Sequence, residues 1–191
     1  MDEVLHAVRL RGIATPQAVV DMTGLPVVHV EMRLVELREE DIVLERPSKK
    51  RPGWVLTESG RERHAEMLAD AHTPDQIAVL EEHYDGFLAV NGDIKGLSAR
   101  WQSSRDEERF DLIDRLEDLH ERARPVFTNA GGAVPRFGRY GERLGVALEK
   151  LDADPRYFVS PQVDSYHTVW FECHEDFLLT LGRTRRGEGS E

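Results

Sequence analysis

Thr23-Gly24-Leu25-Pro26 constrains this chain more than any other stretch. Glycine takes the left-handed conformation that a tight corner between two helices requires. Pro26 then suits a first helical position, where its missing N–H costs nothing. Beyond the corner, Val27, Val30, Leu34 and Leu37 recur at the spacing that puts them on one side of a helix running to about Glu39. Upstream, Thr15-Pro16 reads as a cap and first turn, opening a short helix over residues 16–22. A first helix over residues 2–11, with Val4, Leu5 and Val8 facing the core, ends at Gly12.

After the second helix of the corner, Ile42-Val43-Leu44 forms a strand-like apolar run. Arg46-Pro47-Ser48-Lys49-Lys50-Arg51-Pro52-Gly53 interrupts it with turn formers and four cations, and Trp54-Val55-Leu56 resumes the strand. Thr57 then caps a helix starting at Glu58. This order, with Leu56-Thr57-Glu58-Ser59-Gly60 matching the "Leu-Thr-x-x-Gly" that follows the wing, resembles the winged-helix module of bacterial transcription regulators of the MarR and PadR type. The layout is closer to PadR-like regulators, in which a helical domain follows the winged helix. The expected fold is mainly α with a small β-wing: a winged helix-turn-helix domain over residues 1–72, a helical domain over 73–182 and a polar tail over 183–191.

The resemblance implies a DNA-binding regulator, and the residues allow two readings of how it would work. Opposite the inward face of the 27–39 helix stand Val28, His29, Met32, Val35 and Glu36, with Arg33 on one flank. Base readout favours Arg, Lys, Asn and Gln. This helix offers His29 and Arg33 as donors, with Val28 and Met32 able to touch thymine methyl groups. Lys49, Lys50 and Arg51 at the hairpin tip suit phosphates or a minor groove, and Thr15 and Gln17 suit the DNA backbone. The same cations also serve a merely solubilising hairpin. The rival reading makes the Val28/Met32/Val35 stripe a protein-binding surface without specific DNA binding. Two-fold pairing would double the base contacts of a single module, so a homodimer on double-stranded DNA is expected.

A net charge of −11 excludes a generally adhesive nucleic-acid binder, so a local cationic patch must carry any such contact. No apolar run approaches the length of a membrane span, and the start of the chain does not read as a leader, so a cytoplasmic protein is expected. One cysteine, Cys173, rules out an intrachain disulfide and a cysteine-based zinc cage.

The remainder reads as helices over about 57–72, 73–101, 105–124, 135–151 and 163–181. A kink or break is expected near Asn91-Gly92, and an interruption across Pro125–Val134, which contains Asn129-Ala130-Gly131-Gly132. Phe110, Ile113, Leu116 and Leu119 are expected on one buried face, with Asp111/Arg115 and Asp118/Arg122 paired four apart on the other. Trp101, Tyr166, His167, Trp170, Phe171 and His174 suit a pocket for an aromatic or amphipathic small-molecule effector if they converge. An aromatic core or a dimer interface explains the same residues. Metal ligation by His167 and His174 would need further donors such as His83 or His120, and no metal or cofactor is expected. No nucleophile elbow, zincin motif or P-loop is present. Gly138, Gly141 and Gly145 fall in a helical stretch, where they permit close packing. An enzyme is not expected.

Overall fold

The computed structural model describes residues 1–184. The described chain is mainly helical, with one small two-stranded antiparallel sheet. It divides into two compact units, Met1–Thr73 and the residues from Pro74 onward. The tail expected over 183–191 lies outside the described residues from Arg185 on.

The first unit runs α1 (Glu3–Arg11), α2 (Pro16–Thr23), α3 (Val27–Glu39), β1 (Val43–Arg46), β2 (Gly53–Leu56) and α4 (Glu58–Ala69). Local chemistry sets most of these ends. Asp2 caps α1 by accepting from the Leu5 N–H, and Thr15 caps α2 by accepting from the Ala18 N–H. Gly24 closes α2 at a φ of 69°, its N–H bonded to the Val20 carbonyl. Val30, Leu34 and Leu37 bury the inner face of α3 as the spacing requires. Val27 departs from that expectation and, at the first position of α3, is 50% exposed.

The hairpin pairs Val43 with Leu56 and Arg46 with Gly53, so its first strand starts one residue later than the apolar run suggests. On the free side of β2, Ala14 pairs with Trp54 through two backbone hydrogen bonds of 2.9 and 2.7 Å. The segment between α1 and α2 thus adds a one-residue rung to the sheet. Thr57 fastens the next helix. Its hydroxyl accepts from the Gly60 N–H at 2.9 Å and donates to the Asp41 carbonyl at 2.7 Å. At Gly60 a Cβ would overlap the Ile42 carbonyl oxygen, so this position has room only for hydrogen. His6 on α1 and His64 on α4 stack inside the unit, Nδ1 to Nε2 at 2.9 Å.

The second unit contains α5 (Pro74–Ser103), α6 (Asp106–Ala133), α7 (Arg136–Leu151), the short α8 (Arg156–Val159) and α9 (Tyr166–Thr180). Two expectations fail here. Of the kink or break expected near Gly92, a break is absent, and α5 continues for 30 residues. Its inner ladder of Leu80, Tyr84, Phe87, Ile94 and Leu97 is buried along the whole length, which outweighs the roughly 1 kcal/mol that each glycine costs a helix. The interruption across Pro125–Val134 is also absent, and α6 carries Pro125 in its interior. Val126, Phe127 and Ala130, all buried, hold the helix together past the missing N–H.

The buried face of α6 is rotated from the expected one. Leu112, Leu116, Leu119 and Ala123 point inward, whereas Phe110 is 73% exposed. Arg122 does not pair along its own helix but reaches Asp93 on α5 at 3.4 Å. Gly131 and Gly138 allow α6 and α7 to touch backbone to backbone, since a Cβ on Gly131 would come within 2.7 Å of Gly138. Several polar groups within this core meet one another. Trp170 donates to Asn91 Oδ1 at 3.0 Å, and the Tyr84 hydroxyl meets His174 Nε2 at 3.1 Å. Arg136 grips Asp176 through two bonds, and Arg143 bridges Asp164 and Glu172, joining α7 to α9.

Candidate nucleic-acid interface

The α3 helix presents an apolar outer face. Val28 is 52% exposed, Met32 57% and Val35 39%, with His29 exposed beside them. Arg33 is directed elsewhere. Its Nε donates to Asp2 Oδ2 at 2.8 Å, and its Nη1 donates to Glu36 at 2.8 Å and Glu40 at 3.2 Å. Three carboxylates therefore occupy the guanidinium that the sequence offers for base readout. Of the two donors expected on this helix, His29 alone is left to face outward.

The hairpin tip is built differently. Lys49, Lys50 and Arg51 are all exposed, and none of their side-chain charges has an ion-pair partner among the described residues. The Arg51 N–H donates to the Ser48 hydroxyl at 3.3 Å, which folds the tip back as a turn. Arg46, at the end of β1, is exposed as well. The paired strands and the Ala14–Trp54 rung fix where this cationic tip projects. At the start of α2, Thr15 uses its hydroxyl oxygen for its own cap, and the Gln17 amide donates to Asp21 at 2.8 Å. Both remain exposed.

The aromatic residues proposed for an effector converge only in part, and three of them pack together in the core. Trp170 stacks on Phe87 at 4.4 Å and lies 6.2 Å from Tyr166, while His174 tilts against Phe87 at 5.3 Å. Tyr166, Trp170 and His174 are buried. Trp101 meets the edge of Phe158 at 4.8 Å, with Arg109 over its ring. Phe171 is 47% exposed. Burial lowers the pKa of both His120 and His167, and burial keeps Tyr166 protonated well above the ordinary phenol range. Burial, reinforced by Asp176, likewise pushes the Cys173 thiol up. Among the described residues, no group of three or more histidine, cysteine or carboxylate side chains is arranged to hold a metal ion.

A groove that the sequence reading misses lies between α5 and α6, with Gly92, Gly96, Arg100 and Arg115 among its walls. The available signal was the pair of glycines one turn apart, which reads in isolation only as a weak point in a helix. No described helix is long and apolar enough to cross a membrane. Comparison of the chain with protein-family models, curated proteins and solved structures finds no match.

Proposed function

We propose that residues 1–73 form a winged helix that docks on double-stranded DNA, and that the chain is a homodimeric transcription regulator of the MarR/PadR type. One observation carries this reading: an anchored hairpin holds Lys49, Lys50 and Arg51 outward with their charges uncommitted, in a protein of net charge −11. Phosphates favour such a tip, and binding through it releases condensed counterions. The succession of three helices, hairpin and capped helix, with Ala14 as an added rung, supports the winged-helix assignment. Because Arg33 is occupied, α3 contributes shape and methyl contacts from Val28 and Met32 more than hydrogen-bonded readout.

Selection of bound genomic fragments by the purified chain tests the proposal. Enrichment of a recurrent, two-fold symmetric sequence is expected. The combined Lys49→Ala, Lys50→Ala and Arg51→Ala variant should reduce the slope of log affinity against log salt by about 5, because each of the two protomers loses three cations. No enrichment, or an unchanged slope, would overturn it.

The exposed Val28/Met32/Val35 stripe favours a second reading, in which α3 docks on the apolar face of a partner protein. There, Met32→Glu abolishes the complex while the three wing substitutions leave it intact.

A further inference from the structure

The open groove between α5 and α6 offers about 390 Å³, a volume within the range of small-molecule sites. Two glycines open it. Gly92 and Gly96 stand one turn apart on α5, and a Cβ built on either meets nothing within 4 Å. Bare backbone therefore forms one wall, while Leu97 and Leu119, both buried, supply an apolar floor. Around them stand Arg100, Arg115, Arg122, Asp93 and Asp118.

These charges are unevenly matched. Arg122 is held by Asp93 at 3.4 Å. Arg115 has no ion-pair partner among the described residues. Arg100 also lies beyond ion-pair distance of any described carboxylate, and Glu108, which feels its charge, is bonded to Arg105. Three guanidiniums against two carboxylates leave one net positive charge, on a chain that is otherwise strongly acidic.

We propose that this groove binds a singly charged organic anion with a flat apolar body, of the aromatic carboxylate class. A carboxylate matches the planar fork of a guanidinium, and arginines from both helices are available to it. The ring lies on Leu97 and Leu119 against the bare glycine wall. Inorganic phosphate has no apolar body to lay on Leu97 and Leu119, so the site selects for the ring as well as for negative charge. The site does not depend on the DNA-binding assignment, because occupancy is read directly on the protein.

The test uses the full chain with benzoate and 2-naphthoate as probes, benzamidine as the ring of opposite charge, and inorganic phosphate. The carboxylates are expected to shift backbone amide resonances over 92–100 and 115–122 and to raise the melting midpoint. Benzamidine and phosphate should do neither. Arg115→Ala, at an exposed position, should weaken carboxylate binding by about tenfold or more. Gly96→Leu should abolish it while preserving helicity, since the added side chain enters open space. Absence of binding by both carboxylates at about 1 mM, equal binding of benzamidine, resonance shifts elsewhere, or undiminished affinity in Gly96→Leu would each overturn the proposal. Dimer dissociation by Gly96→Leu without any carboxylate binding would overturn it too, assigning the groove to a second copy of the chain.

Discussion

Arg33 Nε donates to Asp2 Oδ2 at 2.8 Å, tying the middle of α3 to the cap of α1 across 31 positions of sequence. The same Asp2 carboxylate accepts from the Leu5 N–H through its other oxygen. Arg33→Ala is therefore expected to act on folding more than on recognition. The loss of stability should be about 1 kcal/mol or less, because the side chain is one-third exposed and water screens the pair. Duplex affinity and sequence preference should be unchanged in the same variant; a relaxed preference at one base position would return Arg33 to the reading head.

Gly60 allows α4 to begin directly beneath the Ile42 carbonyl. Gly60→Ala should destabilise the first unit by about 1 to 3 kcal/mol, the usual cost of overpacking. Chemical denaturation of the full chain, followed by hydrogen exchange at α4 amides, measures this. Gly92→Ala provides the contrast, since open space at that helical position predicts a neutral or slightly stabilising change.

Pro125 removes one hydrogen bond from the interior of α6. Pro125→Ala restores the donor at an exposed site and should raise stability by about 1 to 3 kcal/mol. A lower melting midpoint would mean that the proline ring itself is needed for α6 to meet its neighbours.

Asp176 is fully buried and accepts from Arg136 twice, from Tyr140 and from Thr180. Asp176→Asn keeps the shape and removes the charge, and a loss of about 3 to 5 kcal/mol is expected from equilibrium unfolding. The double replacement Arg136→Met with Asp176→Leu should cost less than Asp176→Asn alone, because no charge is then left facing a neutral partner.

Burial holds the pKa values of His120 and His167 below the ordinary imidazole value of 6.5. The unfolded chain thus binds more protons than the native one as pH falls through that value, and stability should decline below about pH 6.5. The decline ends once pH has passed below the native pKa values. Glu108 and Asp154, whose carboxyls are held down by Arg105 and Arg156, lose their ion pairs only in more acidic solution. Melting midpoints between pH 7 and pH 5 should therefore slope downward on acidification, and His120→Gln with His167→Gln should flatten that slope.

The first unit was legible in the sequence because its boundaries are local. Asp2, Thr15, Gly24 and Thr57 each fix an end through atoms three or four residues away. The helices of the second unit were harder to place, since the breakers at Gly92, Pro125 and Gly131 are overruled by distant partners. Phe110 and Leu112 show the same limit, for each begins a helical stripe and only the facing helix decides which one is buried. In the candidate site, the cationic tip was readable from one contiguous run between two apolar strands. The capture of Arg33 was not, since Asp2 lies far away in sequence, and the groove between α5 and α6 needed two helices in register.

Cys173 lies fully buried on α9, its thiol pushed up by burial and by Asp176, and it is the only cysteine of the chain. Alkylating reagents can reach that sulfur only during excursions that carry α9 away from its partners. The rate of labelling therefore counts those excursions, and the wild-type chain comes with its own single-site clock for how often its interior breathes.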